Sequence, residues 1–232
     1  MLCNMNMPDM TFPASWLSEA ESARLHAISR PEHAHFYLQS RGLLRTVLGH
    51  LTGQLPEKVT FAALPHGKPQ LVGNNLQFNL SHNQHWLAIA IAKSPVGIDI
   101  EFSENTRQRA WLAVAGRFFT KEEFRYLGAL PEEDLRAAFF RFWTQKEAIL
   151  KAHGAGLNAG LHKLDLLSAL HSLDQQIYYS EYSNPIPQLH CAISTQNVIK
   201  TPVAYYILKE QLEIQPLMPP YISHLCLKPN SL

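Results

Sequence analysis

Apolar residues in the first fifty positions of this chain recur at intervals of three and four. Phe36, Leu43, Leu44, Val47, Leu48 and Leu51 fall at that spacing. The pattern predicts a helix from Pro31 to about residue 50, opened by a first-turn proline, stopped by Gly53 and turning this face to a core. A shorter helix is predicted over 15–28, where Ser18 and Glu21 fit a capping box. The period then drops to two. Val59, Phe61 and Ala63 alternate with polar neighbours, as do Leu76, Phe78 and Leu80 after the turn Gly73-Asn74-Asn75. Residues 86–92 read as a buried strand, and Ser94-Pro95 turns into another in which Val96, Ile98 and Ile100 share one face.

Helical spacing returns over 107–128, and Pro131 opens a long helix ending at Gly154. From Leu164 onward the pattern is strand-like, over 176–182, 188–194 and 203–209. The shift near 102–106 predicts a division into 1–104 and 105–232. Helices grouped before strands, rather than alternating with them, predict an α+β fold.

Composition narrows the class. Lys and Arg total 20 against 19 Asp and Glu, charged residues make up 17% and apolar ones 46%. A disordered chain and a non-specific polyanion binder are both excluded, so no nucleic-acid partner is expected. Cys3, Cys191 and Cys226 form no CxxC pair, which argues against a zinc ribbon or a disulfide framework. The stretch MLCNMNMPDM lacks the basic and apolar blocks of a signal peptide, and the longest apolar run is 86–92. That run is far short of the roughly 20 residues of a membrane helix. A soluble cytoplasmic protein without a membrane partner is expected.

The sharpest chemistry lies in Val96-Gly97-Ile98-Asp99-Ile100-Glu101. On a strand, Asp99 and Glu101 emerge together on the face opposite the apolar residues, about 7 Å apart at ~3.3 Å per residue. Two such carboxylates repel unless neutralised, and a hard cation such as Mg²⁺ does so. A solvated strand face is the alternative. Trp143, Glu147 and Lys151 stand at i, i+4 and i+8 and share a helix stripe. Glu147 can supply a third carboxylate and Lys151 a phosphate contact, although an ordinary surface ion pair has the same spacing. Thr120 and Glu123 make a capping box, which by itself explains Glu123. The turn His66-Gly67-Lys68-Pro69, the strand end Ser81-His82, and Arg41 with Arg45 on one helix face all suit anions. Each is also an ordinary solvated group when taken alone.

In order, the chain carries HGKP, FNLSH, VGIDIE, FFTKEE and FWTQKEAILKAHGAGL. Together these resemble the 4′-phosphopantetheinyl transferase superfamily, in its longer, monomeric, surfactin-synthetase-activating (Sfp) type. The resemblance covers residues 41–157. It implies transfer of the 4′-phosphopantetheine arm of coenzyme A to a serine of an apo acyl or peptidyl carrier protein, with release of 3′,5′-ADP. Asp99, Glu101 and Glu147 match the acids that bind Mg²⁺, for which Mn²⁺ is an alternative. Glu147 also matches the general base, directly or through a water, and Glu123 matches a further acid near the metal. Lys151 and Lys146 match lysines on the pyrophosphate, and Lys151 is placed to protonate the leaving group. Ser81 and His82 match residues at the 3′-phosphate, as does Arg45, with Arg41 a further candidate. Lys68 and Pro69 match the loop beside the adenine.

The resemblance also implies two similar α+β halves related by a pseudo-twofold, with coenzyme A between them. An acidic carrier would meet a rim that includes Arg117, Lys121 and Arg125. The family often carries further basic residues before the second helix, whereas only Arg24 and Arg30 stand there in this chain. Trp143 is expected to pack beside the site. A non-catalytic coenzyme A or carrier-binding module on the same scaffold is the alternative.

Overall fold

The structure, a computed structural model, describes residues 1–5, 11–63, 67–103, 108–154, 156, 160–168, 171–197, 206–209 and 213–216. His66, the boundary expected at 104, residues 203–205 and Cys226 lie outside the described residues.

Local chemistry sets the helix ends. Glu21 N–H donates to the Ser18 hydroxyl at 3.3 Å, and the Glu21 carboxylate accepts Ser18 N–H at 3.0 Å. Helix α1 therefore spans Glu19–Ala27 and starts after the box rather than at residue 15, with a separate 3₁₀ turn at Ala14–Trp16. Helix α2 (Pro31–Thr52) ends on Gly53, whose φ of 69° suits glycine. Its buried residues stop at Gly49, so the last turn overhangs the core and Leu51, expected inside, is 43% exposed. The helical stretch expected over 107–128 is two helices, α3 (Gln108–Phe118) and α4 (Lys121–Gly128), because the Thr120–Glu123 capping box starts a new one. Helix α5 (Glu132–His153) follows Pro131 and closes on Gly154, φ 82°.

Two sheets carry the fold. The first contains β1 (Leu2–Asn4), β4 (Gln77–Asn83), β5 (Trp86–Ala92), β10 (Tyr206–Lys209) and β11 (Glu213–Pro216), in the order β11-β10-β1-β5-β4. The second contains β6 (Val96–Phe102), β7 (His171–Leu173), β8 (Gln176–Ile186) and β9 (Leu189–Thr195), in the order β6-β9-β8-β7. The strands β2 (Phe61–Ala63) and β3 (Pro69–Leu71) pair as a separate ribbon. Neighbours are antiparallel except β1 and β10, which run parallel. Helix and sheet segregate as an α+β fold requires. Strand pairing passes residue 104 in both directions, since β6 pairs with β9 and β10 pairs with β1.

Val96, Ile98 and Ile100 pack with Leu2, Ala88, Ala90, Leu189 and Cys191 between the two sheets. Helix α2 covers the outer face of the first sheet through Leu43, Leu44, Val47 and Leu48 against Cys3, Phe78, Leu87 and Ile89. Helix α5 lies on the second sheet, and here the backbones nearly touch. A Cβ at Gly97 would stand 2.0 Å from the Ala148 carbonyl oxygen and 2.4 Å from the Ala152 nitrogen. The residue opposite Gly97 on β9 is Ser194, and Ser194 in turn faces Ser180 on β8, so small side chains continue across three strands beneath the helix. This contact sets the distance between the strand bearing Asp99 and the helix bearing Glu147.

Gly97→Ala must push α5 off β6, because the atoms it meets are main chain. We expect a loss of about 3 kcal/mol, read as a lower urea midpoint with an unchanged slope.

Candidate active site

The two sheets meet where β4 runs alongside β6, in step from Asn79 to Asn83. Asn79, Ser81 and Asn83 alternate along β4 and point at β6. Asn79 Oδ1 accepts the Ile98 N–H at 2.9 Å, and Ser81 Oγ accepts the Ile100 N–H at 3.2 Å. Ser81 Oγ also donates to Asp99 Oδ1 at 2.9 Å, and Asn83 Nδ2 donates to Glu101 Oε2 at 2.5 Å. Of this strand end, sequence reasoning singled out Ser81 and His82 rather than Asn79 and Asn83. The signal was present in FNLSHN, where the three residues of one strand face are all polar.

Helix α5 supplies the opposing charge. Lys151 Nζ lies 2.6 Å from Asp99 Oδ1 and 3.1 Å from Ser81 Oγ. Lys151 keeps a quarter of its side chain exposed while Asp99 is buried. Burial pushes the Asp99 carboxyl up, opposed by the Lys151 charge and by hydrogen bonds from Lys151, Ser81 and the Ile100 N–H. Its Oδ2 is buried without a hydrogen-bond partner. Glu147, one helical turn before Lys151, is buried too. Burial and the charges of Asp99 and Glu101 push Glu147 up to about 7, against the pull of Lys151. Glu101 is likewise pushed up to about 7 by burial and by Asp99, while hydrogen bonds from Trp143 and Asn83 stabilise its charge. Trp143 thus does more than pack, although its ring also lies 6.0 Å from those of Phe118 and Phe139.

The three acids of the sequence reading therefore share one electrostatic site. Among the described residues no group of His, Cys, Asp and Glu side chains closes a ready-made metal cage. A hard divalent cation that keeps waters and takes phosphate oxygens needs only one or two carboxylates. An all-oxygen donor set, an unpartnered buried Asp99 oxygen and carboxyls that raise one another's pKa fit that ion.

Other expected site residues fall elsewhere. Glu123 and Lys146 are fully buried and face each other, with Lys146 Nζ 2.6 Å from Glu123 Oε2. Glu123 also accepts the Thr120 N–H at 2.9 Å and the Leu166 N–H at 2.8 Å. The Lys146 ammonium donates to the Leu161 carbonyl at 2.8 Å and to that of Leu164. Burial lowers the Lys146 pKa, and Glu123 opposes this. The expectation that both stand at the metal and pyrophosphate is corrected here: their hydrogen bonds tie α4, α5 and the segment after α5 together.

Ser81 and His82, expected to act together, point to opposite faces of β4 as a strand requires. Ser81 turns to Asp99, whereas His82 turns to α2, its ring 5.2 Å from that of Phe36. Burial, Lys151 and His33 lower the His82 pKa. Arg45 is 1% exposed and grips Glu21 with two nitrogens, Nη2 at 2.5 Å and Nη1 at 3.3 Å. Arg41 stands 3.8 Å from Glu21, its guanidinium 5.2 Å from the Tyr37 ring centre, with Arg24 at 5.6 Å from the same ring. Burial works against the Glu21 charge, but Arg45 and Ser18 hold its pKa below the usual range. Arg45 thus arrives already paired. Lys68 donates to the Lys151, Val96 and Ala152 carbonyls at 2.7, 3.0 and 3.4 Å, and burial lowers its pKa to about 8. The neighbouring Pro69 begins β3.

Comparison with known proteins identifies the family. The profile of the 4′-phosphopantetheinyl transferase superfamily matches residues 95–200, which contain β6, α5 and the three acids. The chain is 38% identical to the 4′-phosphopantetheinyl transferase HetI of Nostoc sp. over 158 residues, 66% of this chain and 65% of HetI. A Synechocystis sp. protein classed with the same transferases is 31% identical over 167 residues, 70% of this chain and 67% of its own. The 4′-phosphopantetheinyl transferase Sfp of Bacillus subtilis is 29% identical over 187 residues, 79% of this chain and 78% of Sfp. The alignment thus spans just under two thirds of HetI. The chain belongs to the 4′-phosphopantetheinyl transferase superfamily and is similar to its Sfp-type members.

Two outcomes test this electrostatic description. Burial and neighbouring carboxyls push Glu101 and Glu147 up to about 7 in the folded state, against an ordinary 4.5. The folded state therefore binds the extra protons, so the stability they confer is complete below the lower value and is lost as pH rises through the upper one. In metal-free protein, Glu147→Gln should raise the urea midpoint at about pH 8 and leave it near wild type at about pH 5. Lys146→Met strands a buried Glu123 charge and should cost about 3–5 kcal/mol, much of it recovered when Glu123→Gln is added.

Proposed function

We propose that the protein is a 4′-phosphopantetheinyl transferase that moves the phosphopantetheine arm of coenzyme A to a serine hydroxyl of an apo acyl or peptidyl carrier protein. The observation that carries this reading is the juxtaposition of both signs of charge. Three mutually repelling carboxyls on β6 and α5 stand beside an ammonium that is partly open to solvent. A pyrophosphate bridged to a cation needs such a site.

Asp99, Glu101 and Glu147 would hold Mg²⁺ or Mn²⁺, which supplies Lewis-acid stabilisation of charge on the phosphate oxygens. Lys151 is oriented by Asp99 and Ser81 to meet the pyrophosphate. Glu147, directly or through a water, takes the proton of the attacking serine. The serine oxygen bonds to the phosphorus of the pantetheine arm. The phosphoanhydride bond to the nucleotide breaks, and Lys151 protonates the leaving oxygen of 3′,5′-ADP. The nucleotide's 3′-phosphate is assigned to His82 and Arg41. Arg45 joins them only if it shares its grip on Glu21. Carrier docking is assigned to Arg117, Lys121 and Arg125, all exposed, beside the exposed Phe124 and Tyr126. These cations suit an acidic carrier surface.

The test is direct. With coenzyme A, Mg²⁺ and an apo carrier, the carrier should gain the mass of one phosphopantetheine arm, and chelation should abolish the gain. Coenzyme A binding with no gain on any of several carriers would instead leave a binding module. Glu147→Gln should lower kcat by about 10²- to 10⁴-fold while the fold is retained, measured as holo-carrier formed per minute.

A further inference from the structure

The lysine of the Gly67-Lys68-Pro69 turn spends its charge inside the protein. A helix leaves its last four carbonyls without partners in its own ladder. Of those at the end of α5, the Leu150 carbonyl accepts the Gly154 N–H at 2.9 Å. The carbonyls of Lys151 and Ala152 accept hydrogen bonds from Lys68 Nζ, at 2.7 and 3.4 Å. A cation there also meets the negative end of the helix dipole. The same ammonium reaches the Val96 carbonyl at 3.0 Å, at the first residue of β6.

Those two anchor points lie on the two elements that build the site. Val96 stands three residues before Asp99, and the carbonyl held on α5 belongs to Lys151, whose own ammonium reaches Asp99 at 2.6 Å. A closed circuit results, from Lys68 to Val96, along β6 to Asp99, across to Lys151, and from its carbonyl back to Lys68. The contact at Gly97 fixes how near α5 lies to β6. It does not fix how far the helix end slides along the strand, whereas an ammonium bridging both backbones does.

We infer that Lys68 is a positioning residue that sets the register of Lys151 over Asp99, through the carbonyls of Lys151 and Val96, rather than a nucleotide contact. The inference rests on the transferase reading for its kinetic consequence alone. Removing the ammonium releases the last turn of α5, and a displacement of about 1 Å at a group that must meet a reacting phosphate can cost up to about 10²-fold in rate.

The experiment compares wild type with Lys68→Met, Lys151→Ala and the double variant. The readouts are steady-state kinetics and the ¹⁵N resonance of the Lys151 ammonium, slowed in exchange by its pairing with Asp99. Lys68→Met should lower kcat about tenfold or more with KM for coenzyme A within about twofold. It should add little in the Lys151→Ala background, and it should shift or broaden the Lys151 resonance. Lys68→Arg keeps the charge but spreads its donors over a planar fork, so it should change the same three readouts less. It replaces Lys68→Met if that variant does not fold. A raised KM at unchanged kcat, an equal loss in both backgrounds, or an unmoved Lys151 resonance overturns the inference. If wild type modifies no carrier, the transferase reading fails on its own, and the resonance alone decides the role of Lys68.

Discussion

A helix resting directly on the backbone of a strand is the constraint from which the site follows. Side chains normally hold these layers apart, and at Gly97 there is none. The gap closes to main-chain contact, bringing Glu147 and Lys151 close enough to Asp99 and Glu101 for their charges to interact. The sequence needs little else to assemble the acids, because period two on β6 and period four on α5 aim them at the same gap. What the arrangement then requires is restraint in the other directions. Side chains of β4 supply part of it by occupying backbone donors of β6 on the side where, among the described residues, no strand pairs with it.

The polar groups divide into two kinds of work. Glu123, Lys146, Glu21 and Arg45 neutralise one another inside the protein and join segments. Such pairs gain little over an apolar contact but are costly to break singly. Asp99, Glu101, Glu147 and Lys151 remain imbalanced, with one cation among three acids. In a protein of nearly zero net charge the imbalance is local.

Much of the fold was legible in residue order, because strong periodicity and caps act locally. The long helix from Pro131 to Gly154, the strand at 86–92 and both capping boxes needed no tertiary information. The division of 107–128 into two helices was missed, although the Thr120–Glu123 box carried the signal for a new start. The pairing of β1 with β10 was not legible, because three residues at 2–4 carry no partner information and the sheet is closed by tertiary contact. Spacing put Asp99 with Glu101 on one strand face and Glu147 with Lys151 on one helix stripe, but left solvated alternatives open for both. The destinations of the lysines were not legible, since a flexible four-carbon stem lets one ammonium reach solvent, a carboxylate or a helix end. Only the packed structure separates Lys151, which faces the acids of the site, from Lys68, held by backbone carbonyls, and Lys146, held by Glu123 and two carbonyls.

The parallel pair of β1 and β10 joins Leu2 to Ile207, with β1 lying between β5 and β10. A ribosome emits Leu2 some two hundred residues before its neighbour exists, so the first sheet remains incomplete while those residues are made. Until then, one edge of β1 offers unpaired donors and acceptors to any extended chain nearby. Closing so long a loop also slows the final step, because its entropy is lost before the new hydrogen bonds form. This topology leaves β1 half-paired until residues 206–209 arrive, and makes that interval the time of greatest exposure to misassociation.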